Sequence, residues 1–274
     1  MATTTTVENI TTITSINDIG ARQTPIPPEP AARKIKPRKV RMKVIGLIGG
    51  MSWESTVEYY RVINQSVRER LGGLRSAKCV LYSVDFAEVA ELQRREQWTE
   101  AAQLLVGAAQ NVEKAGADLV LICTNTMHKL AETVQAGIGI PLLHIADATA
   151  EKVKQAGLQR VGLLGTRFTM EEKFYRRRLA DQFGLEVLIP DAKDREIIHR
   201  IIYDELCVGN IRPKSKENAA SIMSRLVDAD AQGIILGCTE LGLLLSHGDS
   251  RVPLFDTTRL HASAAVEYAL KLHA

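Results

Sequence analysis

The sequence predicts an α/β fold of two pseudo-symmetric lobes, each a parallel sheet flanked by helices, with the active site in the cleft between them. Three observations predict it. From residue 42 onward, short apolar runs alternate with segments of helical spacing, the pattern of βαβ units. The features of the first half return in the second at a nearly constant offset. The apolar runs end on Gly or on Cys-Thr, at the carboxyl ends of strands where open parallel sheets bind ligands.

The elements follow in order. Residues 44–48 are apolar and end on Gly49-Gly50, and residues 56–70 have helical spacing. Residues 79–84 form a second apolar strand, ending at Asp85, which suits an N-cap of the next helix. Residues 98–115 read as a helix stopped by Gly116. Residues 119–122 form a third strand, followed directly by Cys123-Thr124-Asn125-Thr126, and Ile140-Pro141-Leu142-Leu143-His144 reads as a fourth.

The second half repeats this programme. Residues 160–165 match residues 43–49 at an offset of 116 or 117, residues 171–183 give the helix, and residues 186–189 the next strand. Residues 234–237 with Cys238-Thr239-Glu240 match residues 119–122 with Cys123-Thr124-Asn125 at an offset of 115. Val252-Pro253-Leu254-Phe255-Asp256 matches residues 140–144 at 112, so Asp256 is the counterpart of His144. The first lobe is therefore expected over 42–145, completed by a C-terminal helix over 257–274, and the second over 146–256.

Residues 1–41 lack apolar periodicity, carry Pro25, Pro27, Pro28 and Pro30, and are expected to be a disordered extension. Residues 1–42 carry seven basic and three acidic side chains, so with a total of +3 the remainder stands at −1. That balance gives no reason to expect a nucleic-acid partner. No apolar run is long enough to cross a bilayer and no secretory leader precedes the first strand, so the expected location is the cytoplasm, without a membrane partner. The four cysteines, at 79, 123, 207 and 238, lack CxxC or zinc spacing and are expected to be reduced thiols, with no metal site.

Two Cys-Thr pairs at repeated strand ends point to acid–base chemistry. If the lobes face each other, Cys123 and Cys238 stand on opposite walls of one cleft. One thiolate removes a proton from carbon and the opposite thiol returns one to the other face, which is stereoinversion. Donors must hold the charge that develops as the proton leaves, and Thr124, Asn125, Thr126 and Thr239 follow the two cysteines. Cys79, inside a strand, and Cys207, inside a helix, read as small packing residues.

The segments Lys43-Val44-Ile45-Gly46-Leu47-Ile48-Gly49-Gly50-Met51-Ser52-Trp53-Glu54-Ser55-Thr56, Leu121-Ile122-Cys123-Thr124-Asn125-Thr126-Met127-His128-Lys129 and Leu236-Gly237-Cys238-Thr239-Glu240 resemble the aspartate/glutamate racemase superfamily. They are most like its aspartate racemase and broad-specificity amino-acid racemase branch, over residues 42–274. The resemblance implies a PLP-independent racemase of amino acids with no cofactor, with Cys123 and Cys238 as its acid/bases. It implies that Thr124, Asn125 and Thr126 hold the substrate carboxylate, that Met51 and Gln93 line the pocket, and, less directly, that Lys173 faces either a side-chain carboxylate or only solvent. A homodimer is also a family expectation.

Glu240 lies two residues from Cys238, where it is placed to tune that thiol or to bind an ammonium; His128 and His144 read as polar residues near strand ends. Two other functions fit the same residues. One is a decarboxylase or cis–trans isomerase of a small diacid. The other is a ligand-binding or thiol-sensing protein that uses the cleft without turnover.

Overall fold

The computed structural model describes residues 42–271. The expected N-terminal extension lies outside the described residues. Within them are two parallel sheets. The first has strands β1 (Ile45–Gly49), β2 (Cys79–Ser83) and β3 (Leu119–Ile122) in the order β2-β1-β3. The second has β4 (Arg160–Gly165), β5 (Glu186–Leu188), β6 (Ile234–Gly237) and β7 (Leu254–Asp256) in the order β5-β4-β6-β7. Strands β1, β3 and β6 are buried at every position, as strands covered by helices on both faces must be.

Eleven α-helices are described: α1 (Trp53–Leu71), α2 (Phe86–Arg94), α3 (Trp98–Lys114), α4 (Ala131–Ala136), α5 (Ile145–Gln155), α6 (Arg167–Glu171), α7 (Lys173–Phe183), α8 (Ala192–Arg200), α9 (Pro213–Asp228), α10 (Leu241–Leu244) and α11 (Thr257–Leu270). None is long and apolar enough to cross a membrane.

Alternation along the strands divides the first lobe into two apolar layers. Ile48, Val120 and Ile122 pack with Leu105 and Val112 of α3. Leu47, Leu119, Leu121 and Cys123 pack on the other face with Tyr59 and Ile63 of α1 and Ala262 and Val266 of α11. The second lobe has its own cluster, drawn from residues between Ile145 of α5 and Phe255 of β7. Each buried Leu or Ile contributes roughly 1.5–3 kcal/mol, so both lobes have independent cores.

Side chains at strand ends cap the helices that follow. Asp85 accepts from the Ala87 amide at 2.9 Å. His144 caps α5 through Ala146, and its counterpart Asp256 caps α11 through Thr258. Gly50 adopts φ +89°, and a Cβ there would strike the Val84 carbonyl, so the turn after β1 requires glycine.

Three local expectations differ from the structure. The fourth strand of the first lobe is reduced to a bridge between Val120 and Leu142, because the chain turns into α5 at His144. The helix expected over 171–183 is broken at Glu172, whose backbone is extended and whose carboxylate pairs with Lys129 at 2.7 Å. The helix around Cys207 is a π-helical turn, Ile201–Glu205, followed by a 3₁₀ turn, Leu206–Val208. That irregular backbone turns Ile202, Tyr203 and Cys207 toward the cleft between the lobes.

Candidate active site

The carboxyl ends of β1, β3, β4 and β6 converge on a narrow cleft whose free volume is only about 10 Å³. Met51, Thr124, Asn125 and Thr126 come from the first lobe, and Thr166, Gly237, Cys238 and Glu240 from the second. Phe86 and Gln93 of α2 and Ile202, Tyr203 and Cys207 complete the walls. The cleft is closed. Thr124 is 9% exposed, Asn125 1%, Gln93 3% and Cys238 6%.

Strand register fixes which residues are equivalent in the two halves. Residues 46–49 of β1 match residues 162–165 of β4, with glycine at each end. Gly46 pairs with Val120 and Ile48 with Ile122. Gly162 pairs with Ile234, Leu164 with Leu236 and Gly165 with Gly237. Val120 is therefore the counterpart of Ile234, and the offset here is 114 rather than the 115 that aligns the Cys-Thr pairs. Cys123 is the counterpart of Gly237, and Thr124 is the counterpart of Cys238.

The expectation that Cys123 faces the cleft is not met. It continues the alternation of Leu119 and Leu121, has no exposed surface, and sits in the apolar layer with Tyr59 and Ala262. Burial pushes its thiol far above the ordinary range, and the charge of Cys79 adds to this. The adjacent Thr124 is the residue that lines the cleft. The Nδ1–H of His128 donates to its carbonyl at 2.7 Å. His128 Nε2 accepts from the Ile145 amide at 3.1 Å, which fixes the tautomer.

On the other wall, Cys238 donates to Glu240 Oε2 at 2.9 Å. The same oxygen accepts from the Thr239 hydroxyl at 2.9 Å. Glu240 Oε1 accepts from the Ser52 amide at 3.1 Å and the Ser52 hydroxyl at 2.9 Å, so this carboxylate ties the lobes together. Burial pushes the Cys238 thiol well above its usual range, and the Glu240 charge pushes the same way. The resting group is a protonated thiol aimed at a carboxylate. Thr239 is bonded to Glu240 and does not line the cleft.

Asn125 donates through Nδ2 to Thr257 Oγ1 at 2.9 Å. Thr257 in turn donates to the Leu236 carbonyl at 2.8 Å, so it can only accept from Asn125. This orients the amide, and its buried Oδ1 has no partner among the described residues. Thr126 meets Thr166 across the cleft at 2.9 Å, with Thr169 within 3.5 Å. Tyr203 donates to Gln93 Oε1 at 2.7 Å and stacks on Phe86 at 6.2 Å. Met51 and Gln93 line this cleft. Lys173 does not: it borders a separate groove of about 360 Å³ between α7 and the 3₁₀ segment Thr126–Leu130.

Behind Thr124 lies a cluster of three buried histidines. The His128 ring is 4.5 Å from that of His144 and 5.6 Å from that of His261. His261 accepts from the Tyr59 hydroxyl at 2.9 Å and donates to the Leu143 carbonyl at 2.8 Å. Burial lowers the pKa of His144 to about 3 and of His261 to about 3, and His128 moves the same way. His261, Thr166 and Tyr203 were not singled out from sequence, since no motif surrounds them, and Cys207, read there as a packing residue, borders the cleft instead.

A family model described as Asp/Glu/Hydantoin racemase matches residues 48–265. The chain belongs to this family. As a family member it is 24% identical over 229 residues to the broad-specificity amino-acid racemase RacX of Bacillus subtilis, covering 81% of this chain and 96% of RacX. Its fold matches a crystal structure of a candidate Asp/Glu racemase from Yersinia pestis with a TM-score of 0.78 and 56% identity, over 84% of this chain and all of that one. An aspartate racemase homologue from Pyrococcus horikoshii matches with a TM-score of 0.73 and 37% identity, again over 84% and 100%. The racemase-family match spans both lobes and therefore both walls of the cleft.

Proposed function

We propose that the chain is an amino-acid racemase that inverts its substrate between Cys238 and Thr124, using only its own acid–base groups. The observation that carries this reading is their equivalence: by ladder register Thr124, past the end of β3, is the counterpart of Cys238, past the end of β6, and both line the same cleft. An α-carbon held between them presents one face to a thiol and the other to a hydroxyl.

The flanking groups suit an amino acid. The partnerless Asn125 Oδ1 is an acceptor and fits the α-ammonium. The Thr126 and Thr166 hydroxyls, with exchangeable donor roles, fit the α-carboxylate. Donors placed where charge gathers as the α-proton leaves stabilise the transition state more than the substrate. The ammonium also offsets the Glu240 charge that opposes a thiolate at Cys238. Cys238 passes its proton to Glu240 Oε2, 2.9 Å away, and the resulting thiolate takes the α-proton on one face as the Thr124 O–H delivers a proton to the other; the reverse reaction restores the Thr124 hydroxyl and the Cys238 thiolate, and Glu240 returns the thiol proton.

The experiment is α-proton exchange in heavy water combined with chiral analysis of the amino acid. Wild type incorporates deuterium at Cα and forms the opposite enantiomer. Cys238→Ala and Thr124→Val lose inversion, and Cys123→Ala keeps it. Inversion that survives Thr124→Val but fails in a well-folded Cys123→Ala would return the second role to Cys123 and overturn the thiol–hydroxyl pair.

A further inference from the structure

Among the described residues, the cleft contains no cation, and its one charged lining residue is Glu240, already bonded to four donors. A substrate with an acidic side chain would bring a second carboxylate into this space with nothing inside to neutralise it. Burying such a charge unpaired is strongly unfavourable, because the lost hydration is not replaced.

A second cavity, of about 250 Å³, adjoins the cleft and shares two wall residues with it, Gln93 and Tyr203. Their 2.7 Å hydrogen bond is the partition. The outer side is bordered by Arg94, Arg167, Phe168 and His199. The two arginines differ. Arg94 is engaged by Glu91 in an ion pair. Arg167 has no carboxylate within 4.0 Å among the described residues, and its guanidinium lies 5.8 Å from the Phe168 ring.

The placement of Arg167 is fixed from both sides. It follows Thr166, whose hydroxyl lines the cleft and bonds Thr126. Its amide donates to His199 Nδ1 at 3.3 Å, and the His199 ring lies 4.7 Å from that of Tyr203. The charge of Arg167 acts on the Tyr203 phenol, opposing the effect of burial.

We propose that Arg167 determines specificity, receiving the side-chain carboxylate of an acidic amino acid through the Gln93–Tyr203 partition. This rests on reading the cleft as an amino-acid racemase site. On binding, Tyr203 exchanges its Gln93 acceptor for the carboxylate, and the guanidinium supplies the charge from the outer cavity. Arg167 acts here by binding alone and takes no part in proton transfer.

The test compares glutamate with alanine in wild type, Arg167→Ala, Arg167→Lys and Arg94→Ala. Loss of a charge-assisted hydrogen bond lowers the glutamate-to-alanine ratio of kcat/KM by about 10- to 100-fold in Arg167→Ala. The lysine variant restores part of that ratio, and Arg94→Ala leaves it as in wild type. Calorimetric binding of glutarate, which has no α-proton to exchange, weakens in parallel in Arg167→Ala. An unchanged ratio with unchanged glutarate binding overturns the role of Arg167 while leaving racemisation intact. If wild type exchanges no amino-acid α-proton yet binds glutarate through Arg167, the racemase reading fails and this one stands. An equal loss of ratio in Arg94→Ala would mean a diffuse field rather than a site, and would also overturn it.

Discussion

The hydroxyl of Thr124 and the thiol of Cys238 belong to residues that are equivalent by strand register, each two residues past the equivalent ladder positions Ile122 and Leu236. The two groups differ chemically by several pK units even before the protein acts on them. Replacing either with an aliphatic side chain should cut racemisation by about 10²- to 10⁴-fold, the usual worth of a positioned acid or base. Thr124→Cys is the informative variant. It should retain inversion and bring the turnover numbers for the two enantiomers closer together, measured by circular dichroism from each side of the equilibrium. The ratio of kcat/KM for the two directions stays at unity throughout, because enantiomers have equal energies.

Glu240 adds its charge to the effect of burial on the Cys238 thiol. Burial and the carboxylate both hold the thiol above its ordinary range, so removing the carboxylate charge moves the thiol down. In Glu240→Gln, the pH at which Cys238 becomes alkylated by iodoacetamide should fall, read by mass spectrometry of its peptide. The same variant disturbs the bonds to Ser52, so its KM should rise as well. A Cys238 alkylation profile that stayed in place would show that burial alone governs the thiol.

The histidine cluster makes stability depend on acid. His144 and His261 have native pKa values of about 3, against an ordinary 6.5, and His128 is shifted the same way. Between pH 6.5 and 3 the unfolded chain binds protons at these positions that the folded chain does not. Stability is therefore complete above about pH 6.5 and falls as pH drops, by about 1.4 kcal/mol per pH unit for each histidine. Urea unfolding between pH 4.5 and 7.5 measures this slope. His261→Gln should flatten it by about one proton while lowering stability at neutral pH through loss of the Tyr59 bond.

Lys173 tests the family analogy directly. It borders the groove beside α7 rather than the cleft, so Lys173→Ala should leave kcat and KM for aspartate and glutamate within about twofold of wild type, as surface substitutions usually do. A large rise in KM for the acids alone would require Lys173 to reach the cleft in a more open arrangement of the lobes.

Much of this was legible in the sequence for a physical reason. Parallel strands buried on both faces must be apolar runs, and Gly46, Gly49, Gly162 and Gly165 mark the duplicated strand by spacing alone. The helix caps at Asp85 and Asp256 follow from chemistry at strand ends. The error at Cys123 comes from period two. Aligning like letters puts Cys123 beside Cys238, but a shift of one residue along a strand turns a side chain to the other face. Only the ladder register, set by partners 74 residues away, decides between the two. Tyr203 and Cys207 were illegible for a different reason: an ordinary amphipathic segment conceals the π-helical turn that aims them inward.

The bond between Tyr203 and Gln93, backed by the stack on Phe86, has a practical consequence for chemical intervention. A mimic of the amino acid must fit a chamber already crowded by its own walls, and must displace that bond to get there. A compound that wedges Tyr203 away from Phe86 needs no resemblance to an amino acid at all. It would hold the thiol and the hydroxyl too far apart to share one carbon, disarming the enzyme by geometry rather than by competition.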